Sequence, residues 1–174
     1  SGGDGPVEAK FTGQTFDHPN LGAGYTALPF GDEVPAFTDR VHEWTAPDTT
    51  LGMPPYLDGR EYIMIRNDNR DNALTLEITV NQPAFIYILF DNRYPDGVNT
   101  TPPTFGGGTQ WIIDGGWVPM STGHNRAGDD SLPDEVGVDE GADGAGSGQG
   151  INQWSSIYVR EVEAGTYTLM GADN

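Results

Sequence analysis

Residues 73–91 read ALTLEITVNQPAFIYILFD, two apolar runs separated by Asn81-Gln82-Pro83. In the first run Leu74, Leu76, Ile78 and Val80 alternate with Thr75, Glu77 and Thr79. A period of two predicts a strand with one buried face and one wet face. The second run, AFIYILF, is apolar on both faces, which predicts a central strand packed on both sides. EYIMIR at 61–66 reads as a further strand, set off by the polar turn NDNRDN. Together these segments predict the heart of an antiparallel β-sandwich.

The rest of the chain supports an all-β class. Gly 25 and Pro 13 are high in 174 residues but punctuate apolar runs without a repeat, as a turn-rich β domain requires. FTDRVHEWTA (37–46), WSSIYVREV (154–162) and TYTLMG (166–171) read as strands, the last two joined at Glu163-Ala164-Gly165. QWII and WVPM flank Asp114-Gly115-Gly116, which is hairpin chemistry. Residues 93–109 form a long loop, and residues 121–153 read as irregular, Gly-rich and acidic. The expectation is seven to nine strands in one sandwich, immunoglobulin-like or jelly-roll, over residues 32–174.

Ahead of it stands an N-terminal extension, residues 1–31. VEAKFTGQTF (7–16) places Val7, Ala9, Phe11 and Gly13 on one side and Glu8, Lys10, Thr12 and Gln14 on the other. A Pro/Gly-rich spacer follows. Its fifteen residues from Asp17 to Gly31 span about 50 Å if fully extended. A start on Ser with no leader sequence before it reads as a mature or trimmed product.

Charge narrows the function classes. Lys+Arg 8 against Asp+Glu 26 gives a net charge of −18, and Lys10 is the only lysine. Nucleic-acid binding needs clustered cations to displace counterions, and an anionic membrane surface repels such a chain. No stretch approaches the roughly 18 apolar residues of a membrane span. The absence of cysteine removes disulfides, thiol catalysis and zinc–thiolate sites. The Asp/Gly/Thr/Asn-rich, lysine-poor composition reads as extracellular or cell-surface.

No catalytic set emerges, and the chain reads as a non-enzyme. His18, His42 and His124 are far apart and form no HExxH pair. Ser147 in GAGSGQG lacks the flanking glycines of a nucleophile elbow. Asp134, Glu135, Asp139, Glu140 and Asp143 cluster in DEVGVDEGADG. They read first as a solvated acidic loop, with Asp134, Asp139, Glu140 and Asp143 as the candidate ligands should the loop hold Ca²⁺. Asn99-Thr100-Thr101 fits the acceptor pattern for Asn-linked glycan.

Two binding readings remain. Trp111 and Trp117 flank a Gly-rich turn, and exposed rings there would form a sugar platform, as in a non-catalytic carbohydrate-binding module that takes a polysaccharide. The other reading is self-assembly. Residues 7–16 and the β-sandwich body resemble the subunits of donor-strand-exchange pili. That resemblance implies a homopolymer in which Val7, Ala9 and Phe11 of one copy plug a neighbour's groove, with Gly13 where the acceptor backbone crowds close. More loosely, EYIMIRNDNRDN, AFIYILFDNR and TQWIIDGGW resemble secreted bacterial β-sandwich domains. The expected function is an extracellular, pilus-like fibril subunit.

Overall fold

The computed structural model describes residues 6–12 as backbone, and residues 29–37, 39–65, 67, 75–80 and 82–172. They form eight strands and one short helix: β1 Pro6–Thr12, β2 Glu43–Thr45, β3 Thr75–Val80, β4 Ala84–Asp91, α1 Gln110–Asp114, β5 Val118–Pro119, β6 Glu135–Asp139, β7 Gln153–Val162 and β8 Gly165–Met170. All strand pairing is antiparallel, in a three-stranded sheet ordered β1-β3-β8 and a five-stranded sheet ordered β2-β6-β7-β4, with β5 also on β7. The all-β class read from the sequence is the class observed.

The segment that opened the sequence analysis makes the frame. β3 and β4 are separated by residues 81–83 yet do not pair with each other. Instead β3 runs along β8, from Thr75↔Met170 to Val80↔Gly165, and β4 runs along β7, from Ala84↔Val162 to Asp91↔Ser155. The four strands are one long two-stranded ribbon with a corner at residues 82–83 and 163–164. Side chains from the two halves of the ribbon pack together. Leu76, Ile78 and Val80 from β3 and Leu169 from β8 thereby share a core with Ile86 of β4 and Tyr158 and Val162 of β7. Ile112 of α1 and Trp117 fill the same cluster. The alternation in β3 is as expected, with Leu76, Ile78 and Val80 buried and Thr75, Glu77 and Thr79 only partly so; Leu74 lies outside the described residues.

A second core lies on the opposite face of the large sheet. Val136, Val138 and Ile157, each 0% exposed, meet Phe30, Ala36, Trp44 and Leu57. The irregular segment 29–65 closes over this face through backbone bonds such as Phe30 N–H to Arg60 O (2.8 Å) and Trp44 N–H to Val34 O (2.9 Å). Trp44 Nε1 donates to the Tyr62 hydroxyl at 2.9 Å, and that hydroxyl donates to Ala36 O. Phe30, at the end of the expected spacer, is therefore a core residue.

Four local expectations are corrected. Residues 61–65 of EYIMIR are not a strand: 61 and 65 make only isolated bridges, to Pro29 and Phe37, and Arg66 lies outside the described residues. Within 37–46 only Glu43–Thr45 forms a strand. QWIID is a helical turn and not the first arm of a hairpin, with Gly115 N–H returning to Trp111 O at 2.9 Å. β4 is apolar on both faces, as read, but β7 holds the central place, between β6 and β4, while β4 lies at the sheet's edge.

The acidic stretch holds the largest surprise, because its EVGVD is the wholly buried β6. The glycines after it are required by close approach. At Gly148 (φ +74°) a Cβ would lie 1.9 Å from Asp48 O, and at Gly150 (φ +71°) it would lie 2.8 Å from an Asp139 carboxylate oxygen.

Ile157→Ala is expected to cost about 2–5 kcal/mol in denaturant unfolding, whereas Phe85→Ala, at a residue 61% exposed, should change stability by no more than about 0.5 kcal/mol. Equal losses would refute this division between centre and edge.

Candidate functional site: the open edge of β4

Among the described residues β4 is bonded on one side only. Asn92 N–H donates to Trp154 O at 3.0 Å, which sets the phase of the β4–β7 ladder. In an antiparallel ladder alternate residues direct their N–H and C=O to the same side. The backbone groups of Ile86, Ile88 and Phe90 thus face β7, and those of Phe85, Tyr87 and Leu89 face away from it. Among the described residues no strand covers this second side.

A cleft of about 1170 Å³ runs along the open edge and touches every residue of β4. One wall carries Leu76, Ile78 and Val80 of β3, and the other carries Phe30, Trp44 and Tyr62. Because β4 contributes alternate side chains to the two cores, the cleft joins the margins of both. Only Ile86 of β4 is fully buried. Tyr87 stacks on Tyr56 at 5.3 Å, and Phe85 lies 6.5 Å from Tyr87. The rim is charged, with Arg60, Glu61, Asp91, Arg93 and Glu161. Arg93 is tied to Asp91 (2.9 Å), Gln153 (2.7 Å) and Glu140 (3.4 Å). The hydrogen bond to Asp91 heads the causes that raise its pKa.

The acids singled out from sequence are dispersed. Asp134 is fully buried and accepts four bonds: from Tyr56 Oη (2.7 Å), Thr122 Oγ1 (2.6 Å), Thr122 N (2.8 Å) and His124 N (3.1 Å). Glu135 takes a two-pronged bond from Arg126, at 2.8 and 3.1 Å, and one from Asn92 Nδ2 at 3.0 Å. Asp139 accepts from Gly141 N (3.2 Å) and Gly144 N (2.7 Å). Glu140 pairs with Arg93, and Asp143 is exposed. Among the described residues no group of three His, Cys, Asp or Glu converges to hold a metal ion. Asp134, Asp139, Glu140 and Asp143 therefore do not form the Ca²⁺ set considered from sequence. Their proximity in the chain is broken up by β6, which sends successive side chains to opposite faces.

The other candidates also acquire places. Trp117 is buried in the first core, and Trp111 packs on that core and donates from Nε1 to Gly171 O at 3.1 Å. The two rings meet edge to face at 87°, so they present no flat sugar platform. Asn99 bridges two backbone groups, donating from Nδ2 to Asn152 O and accepting from Trp154 N, each at 3.0 Å. Its side chain is thus part of the structure that a glycan would have to displace. β1 pairs with β3 of its own chain from Pro6↔Val80 to Thr12↔Thr75, with a bulge between Pro6 and Glu8. Val7, Ala9 and Phe11 fall within it; Gly13 and the remainder of 7–16 lie outside the described residues, as does His18. The open edge itself was not legible in the sequence, because strand order depends on long-range pairing.

Comparison with family models, with curated proteins and with solved structures returns no match. No helix among the described residues is long and apolar enough to cross a membrane.

Asp134→Ala should strand several buried donors and cost at least about 1–3 kcal/mol, more than Tyr56→Phe, which removes one bond; equilibrium unfolding of the two variants compares them. A second prediction concerns alkaline pH. Burial pushes the Tyr158 phenol up to about 12 and raises those of Tyr56 and Tyr62. The unfolded chain releases these protons near pH ~10, so stability is intact below that pH and falls as pH rises toward about 12. Phenolate absorbance from these three rings should then appear together with loss of circular dichroism; full tyrosine ionisation in a folded chain at pH ~10 would contradict it.

Proposed function

We propose that the chain is a structural, non-catalytic subunit of an extracellular pilus-like fibre, joined by donation of its N-terminal strand, about residues 7–16, into the β-sandwich of a neighbouring copy. In this reading the folded ribbon and its covering strands are an immunoglobulin-like or jelly-roll sandwich with an exchangeable edge. The observation that carries the proposal is the position of β1. Among the described residues it is the outermost strand of the smaller sheet and is paired only with β3. It can therefore leave without opening the five-stranded sheet or breaking the β3–β8 pairing. Strand addition of this kind draws affinity from the main-chain ladder and specificity from alternate side chains.

The chemistry of the acids supports a structural use. Asp134, Glu135 and Asp139 are buried and engaged by protein donors, an arrangement that holds loops in place and leaves little carboxylate for substrate. The net charge of −18 suits a subunit kept apart from its copies until a specific joint forms.

Deletion of residues 1–16 tests the proposal. The full chain should form filaments visible by electron microscopy, while the shortened chain stays folded and monomeric by light scattering. A full chain that remains a compact monomer at high concentration would overturn it. Assembly of the full chain should also quicken as ionic strength rises from ~10 to ~150 mM, because the screening length falls from ~30 to ~8 Å; slowing with added salt would oppose a charge-restrained joint.

A further inference from the structure

We infer that the acceptor for a donated N-terminal strand is the open edge of β4 in the next copy, and not the place on β3 that the strand occupies within its own chain. This rests on the strand-donation reading and specifies its partner surface.

Three observations point to β4. First, the outward N–H and C=O groups of Phe85, Tyr87 and Leu89 form an unused half-ladder among the described residues. An extended peptide satisfies such groups in register, which a glycan or a compact apolar molecule does not. Second, the cleft beside this edge has apolar walls on both faces of the sheet, so a strand added there is enclosed above and below. On β3, by contrast, β1 forms the outer margin of a three-stranded sheet. Moving β1 from β3 to another copy's β4 exchanges one antiparallel ladder for another. The backbone bonds largely cancel, and the extra apolar surface covered at the cleft decides the direction.

Third, the occupant is a second copy of this chain because β1 is itself an edge strand that matches the site in length. Its seven residues, PVEAKFT, compare with the eight of β4. Donor strand and acceptor edge are different surfaces of one protein. Each copy can therefore give one strand and take another, a head-to-tail contact that builds an open filament where its rotation does not close.

The natural absence of cysteine makes disulfide mapping clean. One population carries Lys10→Cys. A second carries one cysteine on β4, at position 85, 87 or 89 in turn, and a third carries Glu77→Cys, whose Cα partner in the intrachain ladder is Lys10. Populations are mixed under filament-forming conditions, oxidised, and the cross-linked dimers quantified. The expected result is cross-linking of position 10 to at least one β4 position, several-fold above the yield with position 77. Because Phe85 is exposed, Phe85→Cys is the variant least able to disturb folding, and circular dichroism of each population checks the rest. Cross-linking to position 77 alone would overturn the β4 assignment while upholding strand exchange. Filaments with neither cross-link would overturn it as well, and a monomeric full chain would overturn both readings together.

Discussion

The corner at residues 82–83 and 163–164 is the constraint on which the rest of the structure depends. It divides one antiparallel ribbon into β3–β8 and β4–β7, and the first core gathers side chains from all four strands. Two local contacts hold the bend on the β7–β8 side. Tyr167 Oη donates to Glu163 O at 2.6 Å, and the Arg160 guanidinium lies 5.1 Å from the Tyr167 ring centre. Burial of Leu76, Ile78, Val80, Ile86, Val162 and Leu169 contributes roughly 1.5–3 kcal/mol per large side chain. Every one of these residues would sit on an exposed ribbon face if the chain ran straight through the corner.

A chain of this kind must also hold long connections with one short helix and no disulfides. Here buried and half-buried carboxylates do that work. Asp32 Oδ1 accepts from Thr45 Oγ1 (3.1 Å) and Ala46 N (2.8 Å), and its Oδ2 accepts from Ser147 Oγ (3.0 Å), drawing three distant segments together. Asp134 does the same for Tyr56, Thr122 and His124. Glu135 joins Arg126 to Asn92, and Asn92 in turn accepts from Ser156 Oγ at 2.6 Å. Arg126 also covers the Trp154 ring at 3.9 Å. A buried carboxylate is costly unless its lone pairs are filled, so each of these acids fixes several backbone positions at once. Glycine lets the loops come close enough to supply the donors, as Gly144 N does for Asp139.

This is why the sequence was legible in some places and not in others. The alternation in β3 and the apolar character of β4, β7 and β8 are properties of consecutive residues, and they specify strands wherever they occur. β6 has the same alternation, Val136 and Val138 about Gly137, but acids flank it on both sides and its composition reads as a solvated loop. The partners that engage these acids, Arg126, Tyr56 and Thr122, lie 9, 78 and 12 residues away from the acids they serve. Likewise AFIYILF shows that β4 is apolar on two faces, but not whether it has two neighbours or one. EYIMIR is the complementary case: it has the composition of a strand, but only isolated bridges form at 61 and 65.

The pairing of an open apolar edge with a strongly acidic surface has its own logic. An uncovered strand edge invites indiscriminate sheet growth, and β4 offers one bordered by two apolar walls. With a net charge of −18, two copies repel at distances beyond the reach of hydrogen bonds. Under the proposed strand donation, only an approach that places a matching strand directly against the edge gains enough short-range contact to overcome that repulsion. Random collisions of folded copies, which bring acid against acid, do not. In that proposal the charge acts as a filter on which contacts last, and the edge supplies the contact that passes it. A less acidic chain with the same edge would then associate faster and with less discrimination.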